Sequence, residues 1–243
     1  MVSRVLKNSI FLRIYAGLVV LVVVVAVFCY LLVQIINYQR AQEYRESLTD
    51  GISYVISEGV ARQPEKQQKL DWISDASDLL ELPIYYVDAA RVELSRTERK
   101  RIAEQKSVVR YDANNGIGYI IIGLKDDPKH FLYIKVDKIG ERQMKALPIF
   151  VLDYLIFYPG QEREYLEKIK KHFYYPIEIA DIRDINLDSE QIGRLRQDQS
   201  VLLYKDSASI RGTTISIVSP MPNHPAQVLV LGPVPMFNWM PFQ

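Results

Sequence analysis

From Ile14 to Ile36 the chain carries 23 consecutive residues without a charge, most of them Val, Leu, Ile, Ala or aromatic. A helix of that length spans about 34 Å, enough to cross the roughly 30 Å hydrocarbon layer of a bilayer with some tilt. The run therefore predicts a transmembrane helix over 14–36, with Ile14 and Ile36 as its limits and membrane lipid around it. Arg4, Lys7 and Arg13 precede it with no acid among them, whereas Arg40, Glu43, Arg45, Glu46 and Asp50 follow as a mixed set. By the positive-inside rule residues 1–13 stay in the cytoplasm and the remainder is sent across. A cleaved signal peptide would have an apolar core of about 7 to 15 residues ending in small side chains, and this run is longer. Lipid attachment at Cys29 is disfavoured because bulky Phe28 stands where a small residue is expected.

Outside that segment the chemistry is that of an ordinary globular protein. The 30 basic and 29 acidic side chains leave a formal net charge of +1. Phosphate binding needs a clustered excess of Lys and Arg, so nucleic acid is excluded as a partner. Cys29 is the only cysteine and lies in the apolar run. The soluble part thus has no disulfide framework, and an oxidising compartment is permitted.

The soluble part is written twice. Leu82-Pro83-Ile84-Tyr85-Tyr86-Val87, a polar helical stretch and Ser107-Val108-Val109-Arg110-Tyr111 answer to Tyr175-Pro176-Ile177-Glu178-Ile179-Ala180, a polar helical stretch and Ser200-Val201-Leu202-Leu203-Tyr204. Pro83 and Pro176, Leu94 and Leu187, Ile102 and Leu195, Ser107 and Ser200, and Tyr111 and Tyr204 are all separated by 93 residues (176 minus 83, and so on). A shared period marks an internal duplication.

Each half opens with two helices broken by Pro or Gly. In the first they run from about Tyr38 to Ala61, with Leu48, Ile52, Val55 and Ile56 on one face, and past Pro64 with Leu70, Ile73, Ala76 and Leu80. In the second they run from Met144 to Tyr158 and, after Pro159-Gly160, from Glu162 to Phe173. A strand, a short helix and three strands follow in each half. Asp188, and Ser95 or Thr97, are suited to cap the short helices, and Asn114-Asn115-Gly116 marks a hairpin. The expected fold class is α+β: one transmembrane helix, then two tandem, duplicated α/β sensor-like halves over 37–140 and 141–235. Each half has helices packed on one face of a small, mostly antiparallel sheet and a core of its own.

No constellation of catalytic residues stands out, and no catalytic, cofactor-binding or metal-ligating residue is assigned. His130, His172 and His224 lack neighbours at metal-ligand spacing. Gly116-Ile117-Gly118 joins strand to strand and does not open a helix, so it cannot cradle a pyrophosphate. No Gly-x-Ser-x-Gly elbow occurs. Asp126-Asp127 and Asp181 with Asp184 could serve as acid and base pairs, but with no second signal beside them they read as solvated loops and helix starts. Phe173-Tyr174-Tyr175 with Tyr85 and Tyr86 line a ligand pocket on one reading and fill a sheet face on the other. Ala41, Leu48, Ile52 and Val55 form a stripe at spacings of three and four, suited either to a short coiled coil, with Arg45 in its register, or to packing on the domain.

After Arg211 no charge appears through Gln243, and Met236-Phe237-Asn238-Trp239-Met240-Pro241-Phe242 resemble the aromatic belt at a membrane surface. Residues 236–243 read as the approach to a second span; the alternative is an apolar tail packed on the domain. Leu231-Gly232-Pro233-Val234-Pro235 ahead of them, the layout from Pro176 through Leu187-Asp188 to that motif, and the N-terminal anchor together resemble the RstB-type sensor histidine kinases. The doubled domain points to the BfmS-like branch of that family.

The resemblance implies a periplasmic sensor domain on the bacterial inner membrane and a homodimer. It also implies a kinase core, with ATP and magnesium, that phosphorylates itself on histidine and serves a response regulator. No phospho-acceptor His-Glu pair or ATP-binding glycine box lies in these residues, so no catalytic residue is carried over and no cofactor is expected within this chain. The ligand, a small molecule or an envelope protein, is unspecified. Two other readings stand beside it: a membrane-anchored periplasmic scaffold or assembly protein without kinase activity, and an anchored periplasmic enzyme.

Overall fold

The computed structural model describes residues 10–112, 114–137, 140–207 and 212–235. Two compact units divide it, residues 1–44 and 45–243. Residues 1–9, most of the flank expected in the cytoplasm, and the aromatic segment at 236–243 lie outside the described residues.

Helix α1, Ile10–Ala61, is a single helix of 52 residues. It contains the apolar run, with a mean hydropathy of 3.1 over its most apolar window, no part of which is buried. That is long and apolar enough to cross a membrane.

The folded unit continues with α2 (Lys66–Leu80), β1 (Ile84–Asp88), α3 (Arg96–Ala103), β2 (Val108–Asp112), β3 (Ile117–Gly123) and β4 (His130–Val136). Then come α4 (Glu141–Ile156), α5 (Glu162–Lys170), β5 (Ile177–Asp181), α6 (Ser189–Leu195), β6 (Val201–Ser207), β7 (Gly212–Met221) and β8 (His224–Pro235). The fold mixes helices with two antiparallel four-stranded sheets, ordered β1-β4-β3-β2 and β5-β8-β7-β6.

Local signals recur at the expected offset. Asp88 and Asp181 each cap a single 3-10 turn, accepting from Ala90 N and Arg183 N. Ser95 and Asp188 each close a capping box, with Glu98 and Gln191 as the reciprocal side chains. Gln105 and Asp198 each take a left-handed backbone, φ 58° and 57°, just past the short helix. All three pairs are 93 apart (181 minus 88, 188 minus 95, 198 minus 105). Of the two cap candidates in the first half, Ser95 is the cap and Thr97 lies inside α3. Gly116, at φ 66°, supplies the positive dihedral that the β2–β3 turn requires.

The expectation of a separate core in each half is corrected. One continuous cluster joins Ile52, Val55 and Ile56 of α1, Phe150, Val151 and Leu155 of α4, Leu132 and Ile134 of the first sheet, and Leu229 and Leu231 of the second. The reason lies in the strands, which are apolar on both faces. Leu132, Leu202 and Leu229 point to the shared core, while their neighbours Phe131, Val201 and Val228 point to smaller outer clusters. Side chains alternate across a strand, so consecutive apolar residues demand cover on both sides.

The outer cover is the crossover that carries the chain from β1 to the far edge strand β2, and its equivalent from β5 to β6. Leu94 and Ile102 pack on the first sheet, Leu187 and Leu195 on the second. Helices therefore sit on both faces of each sheet, not one as expected from sequence. At ~25 cal/mol per Å² of apolar surface, an isolated half would forfeit several kcal/mol by exposing its inner face.

Candidate functional site

The most heavily built polar site lies where α1 enters the core. Glu46, Thr49, Ser53 and Ser57 are buried on one stripe of that helix, at i, i+3, i+7 and i+11, with Asp50 beside them. A polar stripe buried along a helix must find partners, and the first half supplies them for Glu46, Thr49, Asp50 and Ser57.

Arg101 of α3 donates from Nη2 to Asp50 Oδ1 and Oδ2 at 3.0 and 3.1 Å. Its Nε donates to the Ser107 carbonyl at 2.9 Å and lies 3.2 Å from Glu46 Oε2. Asp50 Oδ1 also receives the Ser107 backbone N–H at 2.9 Å, and the Thr49 and Ser107 hydroxyls share a hydrogen bond at 2.7 Å. The side chains of Arg101 and Asp50 are only 20% and 13% exposed, so the pair is largely withdrawn from solvent screening. Further along, Ser57 donates to the Gly123 carbonyl at 3.0 Å. Gly123 is required there, since a Cβ would lie 2.6 Å from Ile102 Cγ2 of the overlying α3.

The second half holds a different face of the same helix. Tyr54 stacks on His172 with ring centroids 3.8 Å apart. The helix passes so close that a Cβ on Gly51 would lie 2.5 Å from the Phe173 ring. Burial, with the Glu58 carboxylate, pushes the Tyr54 hydroxyl up to about 12. Burial, with the neighbouring Lys171, holds His172 below its ordinary value. Arg194, which stands 93 residues after Arg101, pairs with Glu190 at 2.6 Å within α6 and acts on Glu141 of α4, so its partners differ from those of Arg101. The clamp is thus a property of the first half.

Other residues singled out in the sequence fall as follows. Ile52 and Val55 are consumed by the domain core, which closes the coiled-coil use of that stripe for them. Phe173 and Tyr175 are buried in the core and Tyr86 packs against it, whereas Tyr85 and Tyr174 are exposed, so the sequence cluster divides between core and surface. Asp181 pairs with Arg183 at 2.8 Å, and His224 lies 3.9 Å from Glu162. Asp127 is less solvated than expected: it accepts from Tyr86 and meets His130 Nδ1 at 2.9 Å, with Tyr86 stacked on that ring. Burial raises the Asp127 carboxyl, and these two hydrogen bonds outweigh it, leaving it below its ordinary value. Burial and the bond to Asp127 push Tyr86 up to about 12. Among the described residues no group of three or more His, Cys, Asp or Glu is placed to hold a metal ion.

Sequence reasoning missed Arg101 and the buried polar stripe. The signal was present in the i, i+3, i+7, i+11 spacing of Glu46, Thr49, Ser53 and Ser57, but polar stripes on helices usually mean solvent. Compared with known proteins, the chain matches no family model, no curated protein and no solved structure.

Proposed function

We propose that this chain is the periplasmic signal-sensing region of a membrane-bound sensor histidine kinase of the RstB type, working as a homodimer on the bacterial inner membrane. The reading takes the two halves as an internal duplication, supported by the repeated caps and left-handed residues at one offset. Phosphotransfer chemistry, with ATP, magnesium and a response regulator, belongs in it to a kinase core that is not within these 243 residues.

The observation that carries the reading is the double use of α1. One helix contains both the apolar run and the stripes gripped by Arg101 and Ser107 of the first half and by His172 and Phe173 of the second. A ligand or envelope protein that changes the arrangement of the halves must then shift what grips the helix. Two packings of such an interface, biased by a ligand, are the ordinary basis of switching.

The experiment uses the full-length gene product in native membrane vesicles with labelled ATP. Acid-labile phosphate on the protein, at a level altered by Asp50→Ala, is the expected result. Absence of phosphohistidine under all conditions counts against a kinase and in favour of an anchored scaffold.

A further inference from the structure

One side of α4 is left uncovered in the folded unit. Ile149, Asp153, Ile156 and Phe157 fall at i, i+4, i+7 and i+8, and the three apolar members are 42%, 45% and 62% exposed. Exposed side chains of this size on one helix face are unusual in a surface that meets only water. Beside them Trp72 and Arg62 complete an open groove of about 540 Å³.

The groove carries two opposite charges that do not pair with each other. The Arg62 guanidinium is held 4.4 Å from the Tyr154 ring centroid and 4.6 Å from that of Phe157, and donates to the Tyr154 carbonyl at 3.4 Å. It meets no carboxylate among the described residues. Asp153 likewise has no ion-pair partner among the described residues. A cation fixed on aromatic rings, an anion on the same groove and an apolar strip form a surface complementary to itself. Rotation by a two-fold axis exchanges the two charges, as an isologous interface requires.

We propose that this face of α4 is the contact between two copies of the chain, with Arg62 of each copy meeting Asp153 of the other and Ile149, Ile156 and Phe157 buried between them. The proposal rests on the homodimer in the functional reading and names its surface. It locates recognition on α4 instead of on the stripe of α1 that the core consumes.

The arrangement makes an unusual prediction about mixing. Arg62→Glu and Asp153→Arg each set like charges against each other in the homodimer. A heterodimer of the two variants opposes the introduced carboxylate to the introduced guanidinium on one side, and on the other keeps the original contact of Arg62 with Asp153. Two differently tagged full-length chains are therefore co-expressed, extracted in mild detergent, and co-purified through one tag.

Each single variant is expected to lose about tenfold or more of its self-association. The mixed pair is expected to recover the wild-type level. Intramolecular roles for the two charges cannot give rescue between chains. Unchanged self-association of both single variants, or failure of the mixed pair while both chains stay folded by tryptophan fluorescence, overturns this surface and leaves a dimer held elsewhere. A wild-type chain that is monomeric removes the homodimer as well.

Discussion

Asp50→Ala isolates the clamp on α1 more cleanly than any other single change. The carboxylate accepts from Arg101 Nη2 on both oxygens, at 3.0 and 3.1 Å, and from the Ser107 N–H and hydroxyl, each at 2.9 Å. Breaking a fully buried ion pair costs about 3–5 kcal/mol, chiefly because the remaining charge is left without compensation. Arg101 is not fully stranded, since Glu46 at 3.2 Å and the Ser107 carbonyl at 2.9 Å stay in place. Its partial exposure lowers the cost further, so the expected loss is about 2–3 kcal/mol. For a domain of this size 1 kcal/mol moves the melting temperature by about 2–4 °C, giving a fall of about 4–12 °C.

The assay is thermal unfolding of the full chain in detergent micelles. It is followed by the fluorescence of Trp72, which packs 6.0 Å from Phe150 in the core. Arg101→Met alone should cost at least as much, because it leaves Asp50 and Glu46 facing each other. In the double variant the losses should fall short of their sum by more than about 1 kcal/mol. A shift below about 2 °C for Asp50→Ala, or strict additivity in the cycle, refutes the clamp.

Three further outcomes are expected, each checked by melting temperature. Gly51→Ala would ordinarily gain about 1 kcal/mol in a helix, but its methyl would lie 2.5 Å from the Phe173 ring. Overpacking costs about 1–3 kcal/mol, so a net loss is expected, and a stabilised variant shows that the ring yields freely. His172 is held below its ordinary value of 6.5 by burial, so the native state favours the neutral ring and the unfolded chain takes the proton first. Its contribution is present above pH 6.5 and lost as the pH falls below it; His172→Phe should flatten the melting temperature between about pH 7.5 and 5.5. The Arg110 guanidinium holds Glu98 down at about 2 from an ordinary 4.5. That contribution is present above 4.5 and lost on acidification toward 2, so Glu98→Gln should lower stability at neutral pH and remove this part of the acid loss.

Much of the architecture was legible because it rests on local rules. The 23 uncharged residues, the Ser95 and Asp188 caps, and the Asn-Asn-Gly turn each act within a few residues, and all appear where the spacing puts them. The shared core was not legible, although its signal was there: Val201-Leu202 and Val228-Leu229-Val230-Leu231 are apolar without alternation, which means both sheet faces are covered. What covers them is a long-range fact. The site was less legible still, because Asp50 and Arg101 are 51 residues apart and Tyr54 and His172 are 118 apart (172 minus 54). Single residues of ordinary type acquire a role there only through the neighbours that the fold brings. Arg62 and Asp153 stayed invisible for the same reason.

The central requirement is that α1 remain in the bilayer while its distal half is part of the folded unit outside. External protease added to intact spheroplasts, with fragments from the membrane fraction weighed by mass spectrometry, tests this directly. The expected product is a protected N-terminal fragment that contains Ile14 to Ile36, with everything from the folded unit digested. Recovery of a soluble protein whose first residue lies after Ile36, or full protection of the folded unit, contradicts it.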